Sequence, residues 1–147
     1  MNNNFSFATD TATLAIFDLA AIKHRVSDTP DWWSISEDEI DEMNRGNILF
    51  LGLGGDGVYH VDIVDEIDDC NDCLYIKVPS GTIFIGAGED TTGGDLEPDN
   101  SENTSGVFLN LKTGNYLVKF KRVSDTILLS FASADRNFNE LSSSICL

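Results

Sequence analysis

The stretch that decides the fold is residues 107–132, VFLNLKTGNYLVKFKRVSDTILLSFA, where apolar and polar side chains alternate in short runs. Such a period of two is typical of strands that bury one face. Turn-forming residues separate the runs, at Lys112 to Asn115 and again at Val123 to Asp125. The stretch therefore predicts three strands, at Val107 to Leu111, Tyr116 to Lys121 and Thr126 to Ala132.

The same pattern recurs upstream and predicts five more strands: Thr11 to Phe17, Asn47 to Leu53, Val58 to Val64, Leu74 to Val78 and Thr82 to Ala87. Short turns such as Gly54 to Gly57 join apolar runs, so we expect consecutive strands to pair antiparallel. A chain of 147 residues can bury one core. We predict an all-β fold, an antiparallel β-sandwich or barrel-like domain over residues 1–147.

One short α-helix is predicted near residues 36–45. Ser36 and Glu39 have the spacing of a capping box, with Ser36 as the N-cap, and Gly46 follows as a stop signal. The segment from Asp18 to Arg25 fits either a helical turn or a bent strand, and the sequence leaves both open.

Charge is the feature that bears most on function. Eighteen acidic residues and two basic ones, Arg45 and Lys77, lie between Glu37 and Glu102, and their net charge of -16 equals that of the whole chain. Such a local field attracts cations or basic proteins and repels nucleic acid. Part of this charge lies in a long predicted surface loop, Gly88 to Gly106.

We predict a protein-binding surface built from these acids and one aromatic anchor. Its residues are Asp62, Asp65, Glu66, Asp68, Asp69, Asp72, Glu89, Asp90, Asp95, Glu97, Asp99 and Trp33.

Motifs for cofactors and metals are weak. Gly52, Gly54 and Gly57 spell GxGxxG, but a dinucleotide site needs a helix after the third glycine, and an alternating strand pattern follows here. Cys70 and Cys73 form a single CxxC motif. The carboxylates around it disfavour the thiolate that a redox site needs, and the chain has no second ligand pair at the spacing of a zinc site. We predict no cofactor and no bound metal.

Catalytic signatures are equally poor. The chain has two histidines, and no serine lies in a nucleophile-elbow pattern. His60 alternates within a strand and is predicted to lie on a sheet surface, while His24 lies beside Lys23 and Arg25 in a small basic patch. An enzyme with a cupin-like site would need more histidines on neighbouring strands. We therefore predict a protein that is not an enzyme, without catalytic residues.

In overall character the chain resembles the small acidic immunity proteins of bacterial polymorphic-toxin and contact-dependent growth inhibition systems. The likeness is carried by the acids from Asp62 to Asp72, those from Glu89 to Glu102, and the helix acids Glu37, Asp38, Glu39, Asp41 and Glu42. It implies an antidote that binds a basic nuclease toxin domain, preferably a ribonuclease, as a one-to-one heterodimer. The acidic surface would block the basic active-site cleft, since nucleases hold phosphates with cations.

The expected location is the cytoplasm, with neither nucleic acid nor membrane as a partner. Met1 to Asn4 carry no positive charge, and the apolar stretch Leu14 to Phe17 is too short for a signal or a span. Two alternatives remain open. The Asp-rich segments could belong to a calcium- or carbohydrate-binding β-sandwich module, or the charge could serve solubility alone.

Overall fold

The computed structural model describes residues 3–25, 32–68, 72–88 and 106–147, and these residues form ten strands and two short α-helices. The helices are α1 (Leu19–Ile22) and α2 (Ser36–Asn44), and 3-10 turns span Lys23–Arg25 and Trp32–Ser34. The strands are β1 (Asn3–Thr9), β2 (Thr13–Asp18), β3 (Ile48–Gly52), β4 (Gly57–Ile63), β5 (Asp72–Val78), β6 (Thr82–Ala87), β7 (Gly106–Asn110), β8 (Gly114–Val123), β9 (Thr126–Ala134) and β10 (Ile145–Cys146).

The strands form two five-stranded sheets that pack face to face. Sheet 1 has the order β1-β4-β9-β8-β5, and sheet 2 has the order β10-β3-β2-β6-β7. The prediction of an all-β, sandwich-like fold is confirmed, and each of the eight predicted strands is present. β1 was not predicted although Phe5 and Phe7 alternate with the polar Asn4 and Ser6, and β10 has only two residues, too few to show a pattern.

The predicted strand pairing is confirmed only in part. β8 and β9 form the expected antiparallel hairpin, with the turn at Ser124 and Asp125. The connections at Gly54 to Gly57 and at Lys112 to Asn115 instead carry the chain from sheet 2 to sheet 1, so the hairpins predicted there are wrong. β4 pairs with β9 in parallel. Turn residues show where the chain reverses, but they do not specify which strand becomes the neighbour.

The predicted helix is confirmed as α2, but its predicted cap is wrong. Ile35 occupies the N-cap position, and no side chain there bonds to the helix. Ser36 is already the first helical residue. The carboxylate of Glu39 accepts a hydrogen bond from the Ser144 hydroxyl at 2.6 Å, so it ties the helix to the end of the chain instead of closing a capping box.

Asp18 settles the choice left open for the segment that follows β2. Its carboxylate caps α1 by accepting from the Ala20 amide at 3.0 Å, and it also accepts from the Ser80 amide at 2.8 Å and the Ser80 hydroxyl at 2.7 Å. The segment is therefore helical. The side chain is fully buried, and these bonds compensate its loss of hydration.

The two sheets differ in how much of their surface is covered. β2, β3 and most of β6 are buried along their whole length, as expected for strands covered on both faces. On β3, Phe50 stacks against Trp33 with ring centroids 5.4 Å apart and meets the edge of Trp32 at 6.0 Å. Strands of sheet 1 alternate instead between buried and accessible side chains, as in β8. Sheet 1 therefore presents an outer face to solvent.

The edge of sheet 1 at β5 is closed by a side chain. The Asn139 amide donates to the Tyr75 carbonyl at 2.9 Å and to the Met43 carbonyl at 2.8 Å, and its oxygen accepts from the Tyr75 amide at 2.9 Å. Further along the strand, the Lys77 amide donates to the Gly46 carbonyl at 2.8 Å. Asn139 thus takes the place of a neighbouring strand and satisfies an edge that would otherwise offer pairing groups.

A buried ion cluster holds α2 against the helical segment that follows β2. The carboxylate of Glu42 accepts from Arg25 Nε and from Asn47 Nδ2, each at 2.7 Å, and lies 2.7 Å from His24 Nε2. Arg25 also stacks over the Trp32 ring at 4.7 Å. The basic patch predicted around His24 is therefore wrong in part, because both His24 and Arg25 are engaged by one buried acid.

Burial raises the pKa of Glu42, but the hydrogen bonds from Asn47, Arg25 and His24 together outweigh burial and lower the pKa below its ordinary value of 4.5. The carboxylate is therefore charged at neutral pH. A carboxyl group whose pKa is lower in the folded chain than in the unfolded chain stabilises folding at pH values above the unfolded pKa. This stabilisation is lost as the pH falls through the folded pKa.

Replacing Asn139 by alanine should lower the free energy of unfolding by about 3 kcal/mol, because the buried Met43 carbonyl and the part-buried amide and carbonyl of Tyr75 lose their partners. Urea unfolding followed by circular dichroism measures the change. Asn110→Ala is the matched control, since Asn110 is exposed and its side-chain oxygen accepts a hydrogen bond from the Thr82 hydroxyl on the protein surface. An unchanged midpoint for Asn139→Ala would show that the β5 edge does not depend on this side chain.

Replacing Glu42 by glutamine should cost about 3 kcal/mol of unfolding free energy at neutral pH, because Arg25 loses its buried counter-charge. The gap between the variant and the wild type should narrow as the pH falls from 4.5, the ordinary value that applies to the unfolded chain, toward the lower pKa of the folded carboxyl group, because the unfolded chain takes up the proton first. Unfolding titrations across this range measure it. Glu37→Gln, exposed on the same helix, should shift stability by less than about 0.5 kcal/mol; a pH-independent gap for Glu42→Gln would contradict the role of its charge.

Candidate functional site

After β4 the chain lies against the outer face of sheet 1 in residues 64–68, which we call the crossover segment. It begins where the Val64 amide donates to the Leu129 carbonyl of β9 at 2.8 Å. Ser130 of β9 is on the outer face, because its neighbour Leu129 is in the core and its register partner on β8 is Lys119. Ser130 is nevertheless only 3% exposed, as expected if the crossover segment covers it. Ile67 is 5% exposed, so it buries the underside of the crossover.

Three predicted site residues lie together on this segment. Asp65, Glu66 and Asp68 are exposed, on either side of the buried Ile67. Asp62, two residues before the segment, is half-buried on β4, and Asp72 is exposed at the first position of β5. The structure thus brings Asp62, Asp65, Glu66 and Asp68 to one sheet face, whereas Asp72 lies on the core side of β5, in register with the buried Phe120. The other predicted acids lie outside the described residues: Asp69, Glu89, Asp90, Asp95, Glu97 and Asp99.

Glu66 anchors the crossover by an ion pair. Its carboxylate accepts from Lys119 Nζ at 2.8 Å, and this hydrogen bond, reinforced by the charge of Lys119, lowers the pKa of Glu66. Because both partners are accessible, the pair positions the segment more than it stabilises the fold. The outer face of sheet 1 is therefore mixed in charge, with lysines among the carboxylates.

Asp62 borders a shallow cleft of about 310 Å³ lined by Asn4, Phe5, Ser6, His60, Asp62 and Thr126. In it the Ser6 hydroxyl lies 2.6 Å from His60 Nδ1. No carboxylate among the described residues hydrogen-bonds to His60 to complete a relay. The prediction that His60 lies on a sheet surface is confirmed, since its side chain is exposed on β4.

Trp33, the predicted aromatic anchor, lies in the core. It is 9% exposed and stacked on Phe50, and Trp32 is 2% exposed. Tyr59 is buried as well, and its hydroxyl donates to the Gly55 carbonyl at 2.7 Å. Burial removes these rings from contact with a partner, so Trp33 does not belong to the candidate surface. The helix acid Glu42 does not belong to it either, because its carboxylate is 1% exposed.

Sequence reasoning missed an exposed aromatic group on the same sheet face. Tyr75 of β5, Leu117 of β8 and Ala132 of β9 form one register row on the outer side. Arg136 stacks over the Tyr75 ring at 5.1 Å and over the Phe138 ring at 4.3 Å. We call these five residues the aromatic patch. The alternation of Leu74, Ile76 and Val78 as core residues was the available signal that Tyr75 faces outward.

The described residues bear on metal binding and on membrane insertion. Within them, no group of three His, Cys, Asp or Glu side chains is arranged to hold a metal ion. Among the same residues, none of the helices has the length and apolar character needed to cross a membrane.

Known structures share this fold. ComJ from Bacillus subtilis, described as an inhibitor of the DNA-degrading activity of NucA, is 12% identical, with 90% of this chain and 96% of that chain covered at a TM-score of 0.55. The protein described as crocagin biosynthetic gene J is 14% identical, with 92% and 98% covered at a TM-score of 0.54. Such low identity establishes a common fold and no more.

No curated protein matches this sequence. A family model does match, and it covers residues 1–147. The chain therefore belongs to the family described as a family of unknown function, DUF6386.

Proposed function

We propose that this protein is a non-catalytic inhibitor that binds a nuclease and covers its nucleic-acid-binding surface with the carboxylates that the crossover segment presents on the outer face of sheet 1. The observation that carries the proposal is the crossover segment, which holds Asp65, Glu66 and Asp68 exposed on an anchored support. The shared fold with ComJ, an inhibitor of a nuclease, supports the same class of function.

The mechanism is electrostatic and steric. Nucleases bind phosphates through Lys, Arg and His side chains, so their clefts attract carboxylates that occupy the phosphate positions. With a net charge of -16, the protein is steered toward such a cleft and repels the nucleic acid that competes for it. Association guided in this way is fast and weakens with salt.

The proposed partner is a toxin nuclease of the cytoplasm, bound one to one. The resemblance to immunity proteins favours a ribonuclease as the partner, whereas ComJ is described as an inhibitor of a DNA-degrading nuclease. The test therefore assays both nucleic acids. The position of the crossover segment on a single face of sheet 1 supports the proposal of one bound partner molecule.

The immobilised protein should retain a basic nuclease from a lysate of its native cells in low salt and release it in high salt. The eluate should degrade RNA or plasmid DNA, and added protein should suppress that activity. The variant Asp65→Asn/Glu66→Gln/Asp68→Asn should slow association with the recovered nuclease about tenfold, since the steering charges are gone. Surface plasmon resonance at several salt concentrations measures the rate.

The matched control is Glu37→Gln/Asp41→Asn/Asp56→Asn, which removes the same charge from three exposed carboxylates away from the crossover. Each set includes a carboxylate in a surface ion pair, Asp41 with Arg45 in the control and Glu66 with Lys119 in the test variant. Equal loss in both variants would mean that net charge alone acts. Retention of no nuclease, together with a calcium-dependent rise in melting temperature, would favour the ligand-binding alternative.

A further inference from the structure

The aromatic patch exposes large side chains that the fold does not need. Phe138 is 46% exposed and follows β9 on an irregular segment, and the accessible side of Tyr75 faces away from the core. The core side of the same strands is filled by Leu74, Ile76 and Val118. Exposed aromatic groups that are close together mark interaction surfaces more often than isolated ones do.

The patch has the composition of an interface centre. Tyr, Phe and Arg are enriched at such centres, and here the guanidinium of Arg136 holds the two rings together. Arg136 is also 3.8 Å from the carboxylate of Glu140, so its charge is partly balanced. Ala132 leaves the β9 end of the row low, so a partner side chain can approach Leu117 in the middle of the row.

The crossover segment borders the patch on one side. Lys119, which bonds to Glu66, is in register with Cys73 and Ser130, and the next outward row along the strands contains Leu117 and Tyr75. Successive outward rows are about 7 Å apart in a β-sheet. The carboxylates of the crossover therefore lie within the reach of one side chain from the patch.

We infer that the aromatic patch is the desolvated centre of the nuclease interface and that the crossover acids form its charged rim. This inference rests on the proposed function. The occupant is a nuclease surface with an apolar contact beside its basic cleft, as charge complementarity with the rim requires. The patch supplies residence time, because buried aromatic contacts govern dissociation, while the rim charges govern encounter.

The test uses the nuclease that the wild-type protein retains and inhibits in the experiment above. Phe138→Ala and Tyr75→Ala should each raise the dissociation rate constant at least about tenfold, as expected for hot-spot residues. Their association rate constants and salt dependence should match the wild type. Val58→Ala and Val123→Ala are matched controls, because these valines are 60% and 54% exposed on the other half of the same face.

Thermal unfolding of each variant tests whether the fold is kept. The conclusion depends on Phe138→Ala, because Phe138 is exposed. If the wild type inhibits the nuclease and Phe138→Ala dissociates at the wild-type rate, the inference is overturned while the proposed function stands. If the wild type retains no nuclease, the proposed function fails first. Sedimentation could also show that the wild-type chain is a dimer and that Phe138→Ala is a monomer. That result would assign the patch to an interface with a second copy and would overturn the inference.

Discussion

The parallel pairing of β4 with β9 is the constraint on which the outer face of sheet 1 depends. Because β4 lies between β1 and β9, the chain reaches β5 only by crossing β9 and β8. The crossing backbone is anchored by the Val64 to Leu129 hydrogen bond, by burial of Ile67 and by the ion pair of Glu66 with Lys119. These anchors place carboxylates on a sheet surface, where a partner can meet them in a defined arrangement.

The two sheets divide structural and binding roles between them. Sheet 2 is covered on its outer side by the tryptophans and α2, and its strands supply a continuous apolar core. Sheet 1 keeps an accessible face, and its β5 edge is closed by Asn139, so that this edge does not attract other strands. A binding surface on sheet 1 can therefore carry charge and exposed rings without disturbing the core that supports it.

The acid excess has two physical roles. Asp18 and Glu42 are buried and hydrogen-bonded, so they organise the helical segments, and Arg25 balances the charge of Glu42. The crossover acids remain exposed to solvent, where the proposed function assigns them the steering of a basic partner. A shared fold with ComJ is consistent with such a scaffold, but the argument for a nuclease partner comes from where this chain places its own carboxylates.

The sequence alone specifies the eight strands, because alternation of apolar side chains follows directly from strand geometry, and it specifies the helix, because the acids of its first turn and the Gly46 stop are local signals. It also determined the charge between Glu37 and Glu102. Only the tertiary structure decided that Trp33 and Glu42 are buried while Phe138 and Asp65 are exposed. Burial depends on which distant strands become neighbours, and the local sequence pattern does not specify that pairing.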